Sequence, residues 1–107
     1  MTETFDVNKI RRSINQRKII WRRHALERML ERELSRDIVL DVASNGEVIE
    51  DYSTDRPTPT ALLLGWDKKH PVHVVLSIDP DGEVAIITAY EPSLEVFESD
   101  YRTRRKP

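Results

Sequence analysis

The sequence predicts an α+β domain: two to three N-terminal helices packed on a four-stranded antiparallel sheet. Two observations carry this. Apolar residues recur at helical spacing as far as about residue 45, and the pattern then changes to strand-like runs as far as residue 90. The strand runs are separated by Pro-, Gly- and Asp-containing turns that join neighbours as hairpins, so helices and strands are segregated along the chain. The 107 residues fit one domain, 1–107, with its core over about 6–98 and a basic tail at 101–107.

Taken in order, Met1 to Thr4 is expected to fray. Val7, Ile10 and Ile14 stand at helical spacing and predict a first helix over about 6–16. Lys18-Ile19-Ile20-Trp21 is a brief strand or an extended link. Arg22 to Glu33 or Leu34 follows as an amphipathic helix whose stripe is Leu26, Met29, Leu30 and Leu34. Ser35 is a good N-cap, Asp37 suits the positive end of a helix dipole, and Gly46 is placed to end a helix over about 36–45.

The strand runs are Glu47–Tyr52, Ala61–Trp66, Val72–Ile78 and Glu83–Tyr90. Asp55-Arg56-Pro57-Thr58-Pro59 is a loop, since its prolines have no N–H to give a sheet ladder. Asp79-Pro80-Asp81-Gly82 is a strong turn signal, with proline presetting one position and glycine accepting positive φ at another. A type I turn there pairs Ile78 with Val84, Leu76 with Ile86, Val74 with Thr88 and Val72 with Tyr90. That face is apolar and should meet the helices. The other carries His73, Val75 and Ser77 beside Ala85, Ile87 and Ala89. A last helical turn is expected within 93–100, and the basic tail is expected to be mobile.

With no cysteine, disulfides and cysteine-based metal sites are excluded. No run approaches the length of a membrane span and the N-terminus lacks a signal peptide's apolar core, so a cytoplasmic location is the expectation. The net charge of -2 conceals segregation. Residues 1–36 hold ten Lys/Arg against five Asp/Glu, residues 37–100 hold three against fourteen, and the tail adds Arg102, Arg104, Arg105 and Lys106 with no acid. A basic patch of this kind can attract phosphates whatever the net charge. Equally, the oppositely charged parts can attract each other within the fold.

His24 and Arg28 lie four apart on the second helix and share a face. A histidine there can exchange a proton near neutral pH, and an arginine can clamp a phosphate. The plainer reading is solvated surface, with Glu27, Glu31 and Glu33 available as partners for the arginine. His73 sits in an apolar strand on its less apolar face, where it is either a satisfied sheet residue or a group that meets substrate. Tyr90, at the end of the last strand, can hydrogen-bond a phosphate or stack on a base, or pack as a core aromatic with a wet hydroxyl. His70, in a turn, reads as solvated. The three histidines lack metal-ligand spacing, so no metal and no cofactor is expected. Glu47, Glu50, Asp51 and Asp55 form an acidic cluster able to repel nucleic acid or attract a basic partner.

Arg23-His24-Ala25-x-x-Arg28-Met29-x-x-Arg32, then Gly46-Glu47-Val48-Ile49-Glu50-Asp51-Tyr52, Leu64-Gly65-Trp66, His73-Val74-Val75 and Ile86-Ile87-Thr88-Ala89-Tyr90-Glu91-Pro92, form an ordered set of motifs. Over about residues 8–92 the chain resembles the small bacterial domain-of-unknown-function family numbered 4258. That family is similar to the RelE/barnase-like ribonuclease toxins. The resemblance implies a helix-plus-antiparallel-sheet fold, metal-independent RNA cleavage over the sheet, and pairing with an antitoxin protein. The motif positions carried over are His24, Arg28, His73 and Tyr90. One departure is Glu33-Leu34, where the family usually has glycine then isoleucine.

The expectation is therefore a ribonuclease toxin in which His24 or His73 activates the ribose 2′-hydroxyl and Tyr90 orients the phosphate. Arg28 and Arg23 would stabilise the charge on phosphorus, while Arg23, Arg102, Arg104 and Arg105 would hold RNA. It requires His24 and His73 to converge on one pocket. The rivals are a non-catalytic module that binds nucleic acid or protein, and a small protein that dimerises through a sheet edge.

Overall fold

A computed structural model of the chain describes residues 6–54 and 58–106. The expected frayed end at Met1–Thr4 and the 55–57 part of the proline loop lie outside them. Among these residues three helices, α1 (Val7–Asn15), α2 (Arg23–Glu31) and α3 (Arg36–Asn45), pack on a sheet of five strands, β1 (Ile19–Trp21), β2 (Glu47–Tyr52), β3 (Thr60–Asp67), β4 (His70–Ile78) and β5 (Val84–Tyr90). The strand order is β1-β5-β4-β3-β2. Strands β2 to β5 form the expected antiparallel meander. The fifth strand corrects the expectation of four. Ile19–Trp21 pairs parallel to β5, opposite Val84 to Ile86, so the sheet is mixed. Three residues are too few to show an alternating pattern, and a parallel partner 65 residues away leaves no local signal.

Local chemistry sets the helix ends. The Asp6 carboxylate accepts from the backbone N–H of Asn8 and Lys9, capping α1, and the Ser35 hydroxyl accepts from Ile38 N–H, capping α3. α2 ends at Glu33 with φ 56°, where Leu34 N–H reaches the Met29 carbonyl at 2.9 Å and Glu33 N–H the Leu30 carbonyl at 3.4 Å. This is the Schellman arrangement, whose left-handed position favours glycine. The same pair of bonds closes α1 around Arg17, φ 59°.

The core lies between the helices and one sheet face. It joins Ile10, Ala25, Met29, Val39 and Val42 to Leu63, Val72, Val74, Leu76, Val84 and Ile86. In α2 the buried positions are Ala25 and Met29, whereas Leu30, expected in the stripe, is 82% exposed. Gly65 lies directly beneath α3, where an added Cβ would come within 2.6 Å of the Val42 side chain. Glycine therefore lets helix and sheet approach closely at this point.

The Asp79–Gly82 turn forms as expected, with Gly82 at φ 86° and its N–H on the Asp79 carbonyl at 2.9 Å. Ile78 then pairs with Val84 and Leu76 with Ile86. Beyond that the register differs. A bulge at Ile87 places Thr88 opposite Val75, Ala89 opposite Val74 and Tyr90 opposite His73. Ala89 joins the helix-side core, and Tyr90 moves to the other face, beside His73.

That other face is covered by the chain's own end. After β5, one turn at Ser93–Phe97 leads into a short ladder in which Glu98 N–H donates to the Thr103 carbonyl and Arg105 N–H to the Val96 carbonyl. Across the sheet from β5 towards β2, Phe97 meets His73, Tyr101 meets Trp66, Arg102 pairs with Glu47 and Arg104 with Glu50. The basic segment through Arg105 is thus a docked strap rather than the expected mobile tail. Segregated charge drives the docking, since its arginines meet the acids of β2, and Phe97, only 2% exposed, supplies the apolar anchor.

Candidate functional site

The residues expected to form one site divide between two faces. α2 packs its Ala25–Met29 side into the helix-face core, leaving His24 exposed on the helix. His73 points through the opposite face, against Tyr90 and Phe97. The two histidines do not converge. Arg28 Nε lies 3.4 Å from His24 Nε2, and an Arg28 terminal nitrogen lies 3.7 Å from the Glu31 carboxylate. Arg23, whose side chain is 94% exposed, pairs with Glu27 at 3.2 Å. The His24/Arg28 cluster is therefore a solvated helix face paired within itself. The strap arginines also have partners: Arg102 with Glu47, Arg104 with Glu50 through two bonds of 2.6 and 3.1 Å, and Arg105 Nε on the Leu94 carbonyl at 2.5 Å.

What the structure does bring together is His73, Tyr90, Glu50 and Arg104. His73 has no exposed surface. Its Nε2 lies 2.6 Å from the Tyr101 carbonyl, which can only accept, so Nε2 carries the hydrogen. Nδ1 of the neutral ring is then an acceptor, and the Tyr90 hydroxyl, 3.3 Å away, donates to it. Burial pushes the His73 pKa down, opposed by the Tyr101 carbonyl and the Glu50 charge, with Arg104 adding to the lowering; the balance is downward. Burial likewise pushes the Tyr90 phenol up, with Arg104 working against it and Glu50 with it. At neutral pH this is a neutral imidazole accepting from a protonated tyrosine.

Glu50 shows a competition of opposite outcome. Burial raises its pKa, but the hydrogen bonds from Arg104 and from the Tyr52 hydroxyl at 2.7 Å, with the Arg104 charge, outweigh it, and the carboxyl is held below its ordinary value. Arg104 in turn lies over the Phe97 ring, 4.9 Å from its centre, while His73 meets that ring edge-on at 4.6 Å. Tyr101 holds φ 59°, a conformation that costs a non-glycine residue about 1–3 kcal/mol. It is fixed by its N–H on the Glu98 carbonyl and by Asp100, whose carboxylate takes bonds from Thr103 and Arg102. The Thr103 bonds come first in lowering the Asp100 pKa to about 2. The strained residue is the one whose carbonyl fixes the His73 tautomer.

Tyr90 opens into a shallow pocket of about 260 Å³ whose walls include Arg32, Glu91, Ser93, Phe97 and Arg104. The Tyr90 hydrogen is committed to His73, so its lone pairs remain to accept a bond from an entering group. A larger cavity of about 340 Å³, between the C-terminal end of α3 and strands β2 and β3, is lined by Asp41, Glu47 and Trp66, and none of the described residues lining it is basic. Among the described residues no three His, Asp or Glu side chains gather as a metal-binding group.

Sequence reasoning placed His73 on the face away from the helices, and the structure agrees. It missed Glu50 as a site residue, Phe97 and Tyr101, and it kept Arg32 only as a motif position. A signal existed for the aromatic pair. Leu94, Val96, Phe97 and Tyr101 are more apolar than a solvated tail requires.

Fold and site together define a small α+β protein with a mixed five-stranded sheet and a buried histidine–tyrosine pair beneath a C-terminal strap. The chain belongs to the family described as Domain of unknown function (DUF4258), which matches residues 21–91. The match ends at Glu91, so the strap residues that complete the site lie beyond it. Comparison with curated proteins found no match, and comparison with solved structures found none. Among the described residues no helix is long and apolar enough to cross a membrane.

Proposed function

We propose that this protein is a metal-independent ribonuclease toxin of the RelE/barnase-like kind, acting in the cytoplasm and held in check by an antitoxin protein. The observation that carries the reading is the Tyr101 carbonyl–His73–Tyr90 chain, which ends in a lone pair at an arginine-lined pocket. His73 works through Tyr90, not with His24. The ribose 2′-hydroxyl gives its proton to Tyr90 Oη as Tyr90 passes its own to His73 Nδ1. The 2′-oxygen bonds to phosphorus and the P–O5′ bond breaks, leaving a 2′,3′-cyclic phosphate. The departing 5′-oxygen takes a proton from water in the open pocket. The imidazolium keeps its Nε2–H on Tyr101 and faces the Glu50 charge, then returns its extra proton to solvent through Tyr90. Arg104 Nη1, which Glu50 does not engage, can hydrogen-bond a phosphoryl oxygen as charge gathers there.

Induced expression tests this. Wild type arrests growth and RNA fragments accumulate, Tyr90→Phe does neither, and His24→Ala behaves as wild type. A second reading, a non-catalytic nucleic-acid or protein binding module, draws on the complete burial of His73 and the pairing of both its nitrogens. Salt-sensitive RNA binding by wild type with no cleavage favours that module.

A further inference from the structure

Arg104 cannot supply the pocket's net positive charge, because Glu50 neutralises it through two hydrogen bonds. Arg102 and Arg105 are likewise engaged within the chain. Arg32 differs. It is the C-cap residue of α2 and is exposed; its backbone N–H donates to the Arg28 carbonyl, while its guanidinium has no hydrogen-bond or ion-pair partner among the described residues. It also lines two pockets. One is the 260 Å³ pocket of Tyr90 and Arg104; the other, of about 230 Å³, is walled by Asp67, His70 and Pro71. Glu91 lines both as well, so Arg32 and Glu91 stand at the boundary between two adjacent pockets.

The two pockets differ in chemistry. The Tyr90 pocket offers Arg32, Arg104, the Ser93 hydroxyl and the tyrosine, all able to meet a phosphate. The other holds Asp67, Glu33 and His70, with His70 Nδ1 3.8 Å from the Glu91 carboxylate. Carboxylates repel phosphate but accept from base amino groups.

We propose that Arg32 is the phosphate anchor of a two-part groove that takes single-stranded RNA, with a phosphate at the Tyr90 end and the adjoining nucleoside at the Asp67–His70 end. This rests on the ribonuclease reading for its ligand, but it concerns binding and is testable without cleavage. Arg32 binds through charge and a forked donor set that lysine does not reproduce.

The test is fluorescence anisotropy with a labelled single-stranded hexanucleotide of 2′-deoxy sugars, which has no attacking hydroxyl, titrated against the full chain across a salt series. Arg32→Ala is expected to weaken binding about tenfold at low salt and to reduce the slope of log affinity against log salt by about 0.7, the loss of one phosphate contact on a single strand. Arg32→Lys should recover the slope but only part of the affinity. Arg23→Ala, on the same helix with a 94% exposed side chain, should change neither. In NMR titrations, a trinucleotide should shift the backbone amides of Asp67 and His70, and inorganic phosphate should not. Wild-type binding with Arg32→Ala and Arg23→Ala indistinguishable overturns the anchor while leaving the ribonuclease reading standing. Binding with unmoved Asp67 and His70 amides overturns the two-part groove. No binding by wild type overturns both.

Discussion

Replacing Phe97 by alanine separates a docked strap from a mobile tail. Phe97 is 2% exposed, lies edge-on to the His73 ring at 4.6 Å and carries the Arg104 guanidinium at 4.9 Å. Truncating a buried phenylalanine costs about 3–5 kcal/mol, the sum of lost transfer energy and the cavity left behind. The short strap that carries Phe97 can partly collapse into the space, which places this case near about 3 kcal/mol. Domain stabilities are about 5–15 kcal/mol, so the folded-to-unfolded ratio should fall about a hundredfold. Urea denaturation followed by tryptophan fluorescence reads this as a lower midpoint at unchanged slope. A loss below about 0.5 kcal/mol, the ordinary range for a surface substitution, would refute the reasoning.

Three further outcomes follow from the geometry. Glu33→Gly should stabilise the protein by about 1 kcal/mol, because φ 56° strains a residue with a Cβ; an unchanged or lower thermal midpoint would count against it. Gly65→Ala should destabilise by about 1–3 kcal/mol, since the new methyl meets Val42 at 2.6 Å, and a wild-type midpoint would mean that α3 shifts freely. Acid should loosen the protein in two stages. His73 holds its pKa below 6.5 in the fold, so its contribution is complete above that value and declines as pH falls towards the folded pKa; Glu50, below 4.5, contributes above that value and fades as pH falls through its folded pKa. The urea midpoint of Glu50→Gln should lack the lower stage, and identical profiles for variant and wild type would contradict the assignment.

Much of this architecture is legible in the chain because it is locally encoded. Ser35 caps α3, and the Asp79–Gly82 turn sets the first two pairs of the β4–β5 hairpin. The bulge at Ile87 is not legible, because Ile86-Ile87-Thr88-Ala89 offers an acceptable core residue in either register. Tyr90 changes faces on that one residue, and the site depends on it. The split of His24 from His73 is hidden for a related reason. Periodicity shows which side of a helix is apolar, not which side of a sheet the helix will cover. The β2 acids were visible as a cluster able to attract a basic partner, and that partner is the chain's own Arg102 and Arg104.

The most direct test of the central claim is cleavage of single-stranded RNA by purified protein with a metal chelator present, followed by end-group analysis. Wild type and His24→Ala should leave 2′,3′-cyclic phosphate ends, with Tyr90→Phe slower by about 10²–10⁴-fold. Cleavage by Tyr90→Phe at the wild-type rate, or none by wild type, would contradict it.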